Sequence, residues 1–208
     1  MIIAIDGPAA SGKGTLGKRL SEHFGFAHLD TGLLYRAVAR VMLDREVPLT
    51  DRDAAHAVAL DLDVTHLDDP RLRGAEMGEA ASVVSAYQPV RDALLAFQRQ
   101  FAGQEPGAVL DGRDIGTVVC PHADVKLFIT AAPEERARRR HLELQKRGEQ
   151  TEYAAILDDI RRRDERDMNR ATAPLKPAPD AITLDTTHLD ADGAFQAALD
   201  LIKAKLDT

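Results

Sequence analysis

Gly7, Gly12 and Lys13 stand at the spacing G-x-x-x-x-G-K. That spacing lets successive backbone N–H groups wrap a phosphate while the lysine reaches its outer oxygens. A hydroxyl residue normally follows the lysine, but here Gly14 comes next and the hydroxyl arrives one place later, at Thr15. The extra glycine lets the backbone approach a phosphate still more closely, and Thr15 stays within the first turn of a helix starting here, placed to take Mg²⁺. The run Gly7, Pro8, Ala9, Ala10, Ser11, Gly12, Lys13, Gly14, Thr15 therefore reads as a cradle for the phosphates of a nucleotide.

A second kind of chemistry lies in the arginines. The chain has 20 Arg against 7 Lys, and the arginines crowd ERARRR (135–140) and RRRDERDMNR (161–170). Arginine grips phosphate in a planar, bidentate way that lysine does not, so such clusters suggest a small anionic ligand. The net charge of −7 speaks against a general nucleic-acid binder, which needs a basic surface. Cys120, the only cysteine, offers neither a disulfide nor a zinc site and reads as a buried or half-buried residue.

Strand and helix must hold these groups. Short apolar runs alternate with helical patterns, the mark of β-α-β units and a parallel sheet. The strands are expected at 2–6, 26–30, 108–112, 124–130 and 181–185, and three of them end in aspartate, at the sheet edge where open α/β folds bind ligands. Helices are expected from the loop to about Phe24 with Gly25 as stop, after Thr31, and from Thr50 with Asp53 as capping-box partner. Others should run from Pro89 to Gly103, from Pro133 to Gly148, and from a Thr151 cap with an apolar face of Tyr153, Ile156, Leu157 and Ile160. The last should pack Phe195, Leu199, Ile202 and Leu206 on the core. Segments 61–107 and 145–172 break the alternation and read as lobes on one core. With 208 residues, 44% of them hydrophobic and 29% charged, the chain suits one soluble α/β domain. No apolar run approaches the roughly 20 residues of a membrane helix, so a cytoplasmic protein without membrane or nucleic-acid partners is expected.

The GKGT form of the loop resembles that of nucleoside monophosphate kinases. HLDTGLLYR (28–36), DGRDIGTVV (111–119) and RDERDMNRATAPL (163–175) look like the corresponding stretches of bacterial cytidylate kinases, in the same order over nearly the whole chain. The resemblance implies a five-stranded parallel sheet flanked by helices. It also implies an acceptor lobe at about 31–105, a helical lid at about 145–162, ATP as phosphate donor and CMP and dCMP as acceptors.

Such an enzyme must hold two anions that repel one another, so cations beyond Lys13 are a necessity. Arg36 follows the strand-end turn Asp30-Thr31-Gly32, and Arg113 follows the strand-end Asp111; the resemblance assigns both to the acceptor phosphate, with Asp30 and Thr31 beside it. Arg163, Asp167 and Arg170 fall at i, i+4 and i+7, one helical face, where the carboxylate can orient both guanidinium groups and meet ribose hydroxyls. Cytosine presents an amino donor beside two acceptors, and Asp114, Arg91 and Ser82 supply the matching set, which the resemblance assigns to the base. Uracil would turn an acceptor towards Asp114, making UMP the poorer substrate.

The acceptor phosphate is itself an anionic nucleophile, so no general base is needed. Lys13, Arg113, Arg163 and Arg170 are the expected catalytic cations, Thr15 and Asp111 the expected Mg²⁺ residues, and Arg139 the expected lid contact to ATP. The clearest departure from the family is the stretch DVTHLDDPRLRGAEMGEAAS, too short and too broken by Pro70 and Gly74 for the β-rich insertion of longer bacterial forms. A kinase of UMP, AMP or a small acid such as shikimate is the nearest rival reading, and a non-catalytic nucleotide-binding regulator the rival of another class. A guanine-specific switch would need N-K-x-D, yet the only asparagine is Asn169, in NRAT. A monomer is expected.

Overall fold

The computed structural model describes residues 1–207. Its sheet has five strands: β1 (Ile2–Asp6), β2 (Ala27–Asp30), β3 (Ala108–Gly112), β4 (Val125–Thr130) and β5 (Ile182–Asp185). Every pairing is parallel, in the order β2-β3-β1-β4-β5. The expected strands thus appear with shifts of at most one residue at an end.

Alternating side chains of the central strands feed two separate cores, as the two-residue period of a strand demands. On one face Ala4, Leu29 and Leu110 pack against α2 (Gly32–Asp44), α3 (Arg52–Leu60), α4 (Ala75–Val84) and α5 (Gln88–Ala102). On the other, Ile3, Ile5, Val109, Leu127 and Ile129 meet α1 (Lys13–Phe24) and α8 (Ala191–Leu206). Each fully buried Ile or Leu in these layers contributes about 1.5–3 kcal/mol. A third, smaller cluster, Ala137, Leu144, Ile156 and Ile160, binds α6 (Pro133–Lys146) to α7 (Tyr153–Asn169) as a hairpin beside the sheet.

Several helix ends follow the sequence signals. Gly25 closes α1 in the left-handed conformation (φ 67°), Pro89 lies in the first turn of α5, and Pro133 begins α6. Three expectations are corrected. The cap of α3 is Asp51, whose carboxylate accepts from Ala54 N, because its side chain and not that of Thr50 lies within reach of the first turn. Helix α7 is preceded by Glu152, with no side-chain cap, and the Thr151 hydroxyl is buried without a partner. Leu206 is 49% exposed, since the last turn of α8 runs past the sheet. Segment 61–107 is helical, with short 3-10 turns at Val64–His66 and Pro70–Leu72 before α4 and α5. The expected lid limit at 162 falls inside the unbroken α7, so lid and site arginines share one rod.

Candidate active site

Because all five strands are parallel, their carboxyl ends meet along one edge, and the loop after β1 opens there. Gly7 takes φ 156°, and a Cβ at this position would lie 2.1 Å from the Ile129 carbonyl oxygen, so only glycine lets the loop leave β1 against β4. Gly12, at φ 89°, turns the chain into α1. Arg136, almost fully buried, donates to the Ala9 carbonyl (3.0 Å) and to Asp164 on α7 (3.1 Å), tying the loop to the helical hairpin.

Lys13 is buried at the start of α1, its Nζ donating to the Pro8 carbonyl at 3.1 Å. Burial, followed by the charge of Arg113, pulls its pKa down to about 7. A cavity of about 550 Å³ runs from Lys13 between α2, α4 and the α6–α7 hairpin to Arg91 and Asp114. Arg36 enters it from α2, donating to the Leu72 carbonyl at 2.9 Å; burial lowers its pKa, the Asp30 carboxylate raises it, and the charges of Arg163, Arg140 and Arg113 lower it further, to about 10. Arg163 comes from α7 with only a loose approach to Asp159 (3.8 Å), and its Nε is buried without a partner.

At the far end the charges are interlocked. Arg91 on α5 donates to Asp114 and to the Ser85 carbonyl (3.2 Å), and its guanidinium lies 5.5 Å from the ring centre of Tyr35. Arg170 approaches the other oxygen of Asp114 at 3.7 Å and donates to the Ala173 carbonyl at 2.8 Å. Asp167 accepts from Arg113 Nε (2.9 Å) and from Ser82 Oγ (3.1 Å). Burial opposes its charge, but Arg113, with Arg170 and Arg163, outweighs it and holds the carboxyl below the usual range. Asp167 was expected to orient Arg163 and Arg170. The structure gives its hydrogen bonds to Arg113 and Ser82 instead, because α7 ends at Asn169 and Arg170 leaves the helical face for extended backbone.

Around β2 and β3, Asp30 and Asp111 are register partners. Burial, and then the charge of Asp111, push the Asp30 carboxyl upward. Thr31 lines the cavity, but its hydroxyl donates to the Asp111 carbonyl at 2.9 Å. Asp111 lines the cavity, whereas Thr15 is exposed in the first turn of α1. Arg139 donates to Glu135 and to the Thr186 and Leu189 carbonyls, with its Nη1 3.9 Å from where a Cβ on Gly12 would stand, beside the loop; Arg140, one residue on, lines the cavity. Within ERARRR the sequence reasoning missed Arg136 and Arg140. Their i, i+4 spacing, which puts both on the inward face of α6, was the available signal. Asp6 was also missed: it accepts from Ile115 N and Gly116 N, fixing the turn after Asp114, and burial raises its pKa to about 6.

A family model described as Cytidylate kinase matches residues 3–204. A cytidylate kinase of Rhodopseudomonas palustris (strain TIE-1) is 61% identical over 204 residues, covering 98% of this chain and 96% of that protein. One of Methylocella silvestris is 61% identical over 208 residues, covering 100% of this chain and 96% of its own. Among solved structures, an uncharacterized protein from Eubacterium ventriosum superposes with a TM-score of 0.56 at 17% identity, over 98% of both chains. A Thermus thermophilus protein follows at 0.50 and 20%, over 99% of this chain and 97% of its own; both show likeness of fold alone.

Proposed function

The chain belongs to the cytidylate kinase family, and we propose that it transfers the γ-phosphoryl group of ATP to CMP and dCMP, giving ADP and CDP or dCDP. The observation that carries the reading is one continuous cavity with a phosphate loop at one end, the Arg91–Asp114 pair at the other and Arg36, Arg113 and Arg163 between them. In that space two phosphates can meet in line while a base docks against a fixed carboxylate.

ATP lies along residues 7–15, its β- and γ-phosphates on Lys13 and the backbone N–H groups of the loop. Arg140 takes the donor role expected of Arg139. CMP places its base against Asp114, Arg91 and Ser82, its ribose near Asp167, and its phosphate on Arg36, Arg113 and Arg163. An oxygen of that phosphate forms a bond to the γ-phosphorus as the bond to the β–γ bridging oxygen breaks, and the electron pair departs on ADP. Lys13 and the arginines balance the charge spread over the transferring oxygens. Arg170, bound to the Ala173 carbonyl and set against Asp114, holds the base end.

Asp111 and Thr15 offer hard oxygen donors to Mg²⁺, and Asp111 Oδ1 would stand 3.9 Å from a Cβ placed on Gly14, open to the start of α1. The donor set fits an ion held largely through water, and no cluster of three or more His, Cys, Asp or Glu suited to a metal occurs among the described residues. When bound, Mg²⁺ neutralises the donor phosphates and makes ADP a better leaving group.

Among the described residues no helix is long and apolar enough to cross a membrane. The enzyme is taken as a monomer acting in the cytoplasm. Coupled measurement of ADP release tests the reading: release should depend on added CMP, and a protein that binds ATP yet releases no ADP with CMP would overturn it.

A further inference from the structure

Glycine in a helix interior costs about 0.5–1 kcal/mol relative to alanine, and Gly17 lies in the second turn of α1. A Cβ at Gly17 would stand 2.8 Å from His28 Nε2 and 3.3 Å from Asp111 Oδ2. The imidazole of His28, on β2, therefore occupies the volume that any other residue at 17 would claim. Its Nε2 lies 2.9 Å from Asp111 Oδ2. A carboxylate only accepts, so Nε2 carries the hydrogen and donates it.

Asp111 is thus divided between two neighbours. One oxygen is held by His28, and the other faces Gly14 at the head of α1. Asp30, its register partner across β2 and β3, stands on its other side. We propose that His28 is a positioning residue, holding Asp111 so that Oδ1 faces the donor's metal ion, and that Gly17 is glycine to admit it. The inference rests on the reading of Asp111 as the metal carboxylate. A ligating carboxylate is commonly oriented by an outer hydrogen-bond donor, and loss of such a donor weakens metal affinity by about 10–100-fold.

The test is Mn²⁺ titration, followed by electron paramagnetic resonance, into the protein bound to a non-hydrolysable ATP analogue. Asp111→Asn should weaken Mn²⁺ binding; unchanged affinity there would sink the metal reading itself. With that loss established, His28→Leu should weaken Mn²⁺ about tenfold. The Mg²⁺ needed for half-maximal turnover should rise in parallel, while the KM for CMP moves less than twofold. His28→Gln, whose terminal amide can donate to the same oxygen, should recover most of the affinity. Gly17→Ala, which crowds the imidazole, should mimic His28→Leu and keeps the test alive if that variant fails to fold. Mn²⁺ affinity within twofold of the parent in His28→Leu or, should it not fold, in Gly17→Ala would overturn the inference.

Discussion

At the base end of the cavity Arg91 and Arg170 share Asp114, and Arg113 and Ser82 share Asp167, so each guanidinium already faces a carboxylate before any ligand arrives. At the phosphate end Lys13 and Arg36 hold carbonyl oxygens and form no ion pair among the described residues, and Arg163 has only Asp159 at 3.8 Å. The difference separates two tasks. A neutral, polar base needs donors and acceptors fixed in place, and paired charges supply that without drawing in arbitrary anions. Two phosphates need positive charge that nothing else has cancelled, and burial keeps that charge costly until they bind.

Arg113 sits on the boundary, and removing it should do the most damage. Arg113→Ala takes a cation from the acceptor phosphate and leaves Asp167 buried without its partner, so kcat/KM for CMP should fall roughly 10²–10³-fold. Steady-state kinetics with circular dichroism as a fold control will measure it. Next comes Asp114→Asn, which strikes only the paired end. The amide can turn either a donor or an acceptor to the base, so the preference for CMP over UMP should drop about 100-fold with the KM for ATP unchanged. Smaller still is the contrast on α6. Arg140→Ala should raise the KM for ATP about tenfold, whereas Arg139→Ala should leave it within twofold and cost about 1 kcal/mol of stability through its lost carbonyl bonds.

The smallest effect concerns protons. With its pKa drawn down to about 7 by burial, Lys13 is largely neutral at pH 8 in the empty site, and bound phosphates favour its charged form. ATP binding at pH 8 should therefore take up a fraction of a proton, seen as a binding enthalpy that varies with the buffer. At pH 6, where the lysine is already protonated, that dependence should nearly vanish. Equal dependence at both pH values would mean that Lys13 stays charged in the empty site, and that the two ends differ less than their geometry suggests.

The unequal ends also mark what a sequence can disclose. The five strands, Gly25 as a stop and the prolines that begin α5 and α6 were legible because each signal is local: an apolar run, a left-handed residue, a missing N–H. The gathering of Lys13, Arg36, Asp114 and Arg163 around one cavity followed from strand ends and motif order. Pairing was not legible. That Asp167 serves Arg113 and Ser82 depends on where α7 stops and on how α4 and β3 meet it, distances no spacing along one helix encodes. Arg139 and Arg140 differ only in azimuth on α6, and no spacing along the chain by itself says that Arg140 is the one lining the cavity. Gly17 and His28 carry no local signal except a glycine where a helix has no use for one.

The central claim, that fixed charge pairs at one end choose the base while free cations at the other hold the phosphates, is tested most directly by ADP release over a panel of acceptors at equal concentration. CMP and dCMP should exceed UMP, AMP and shikimate at least tenfold in kcat/KM. UMP or AMP turned over within tenfold of CMP would contradict it.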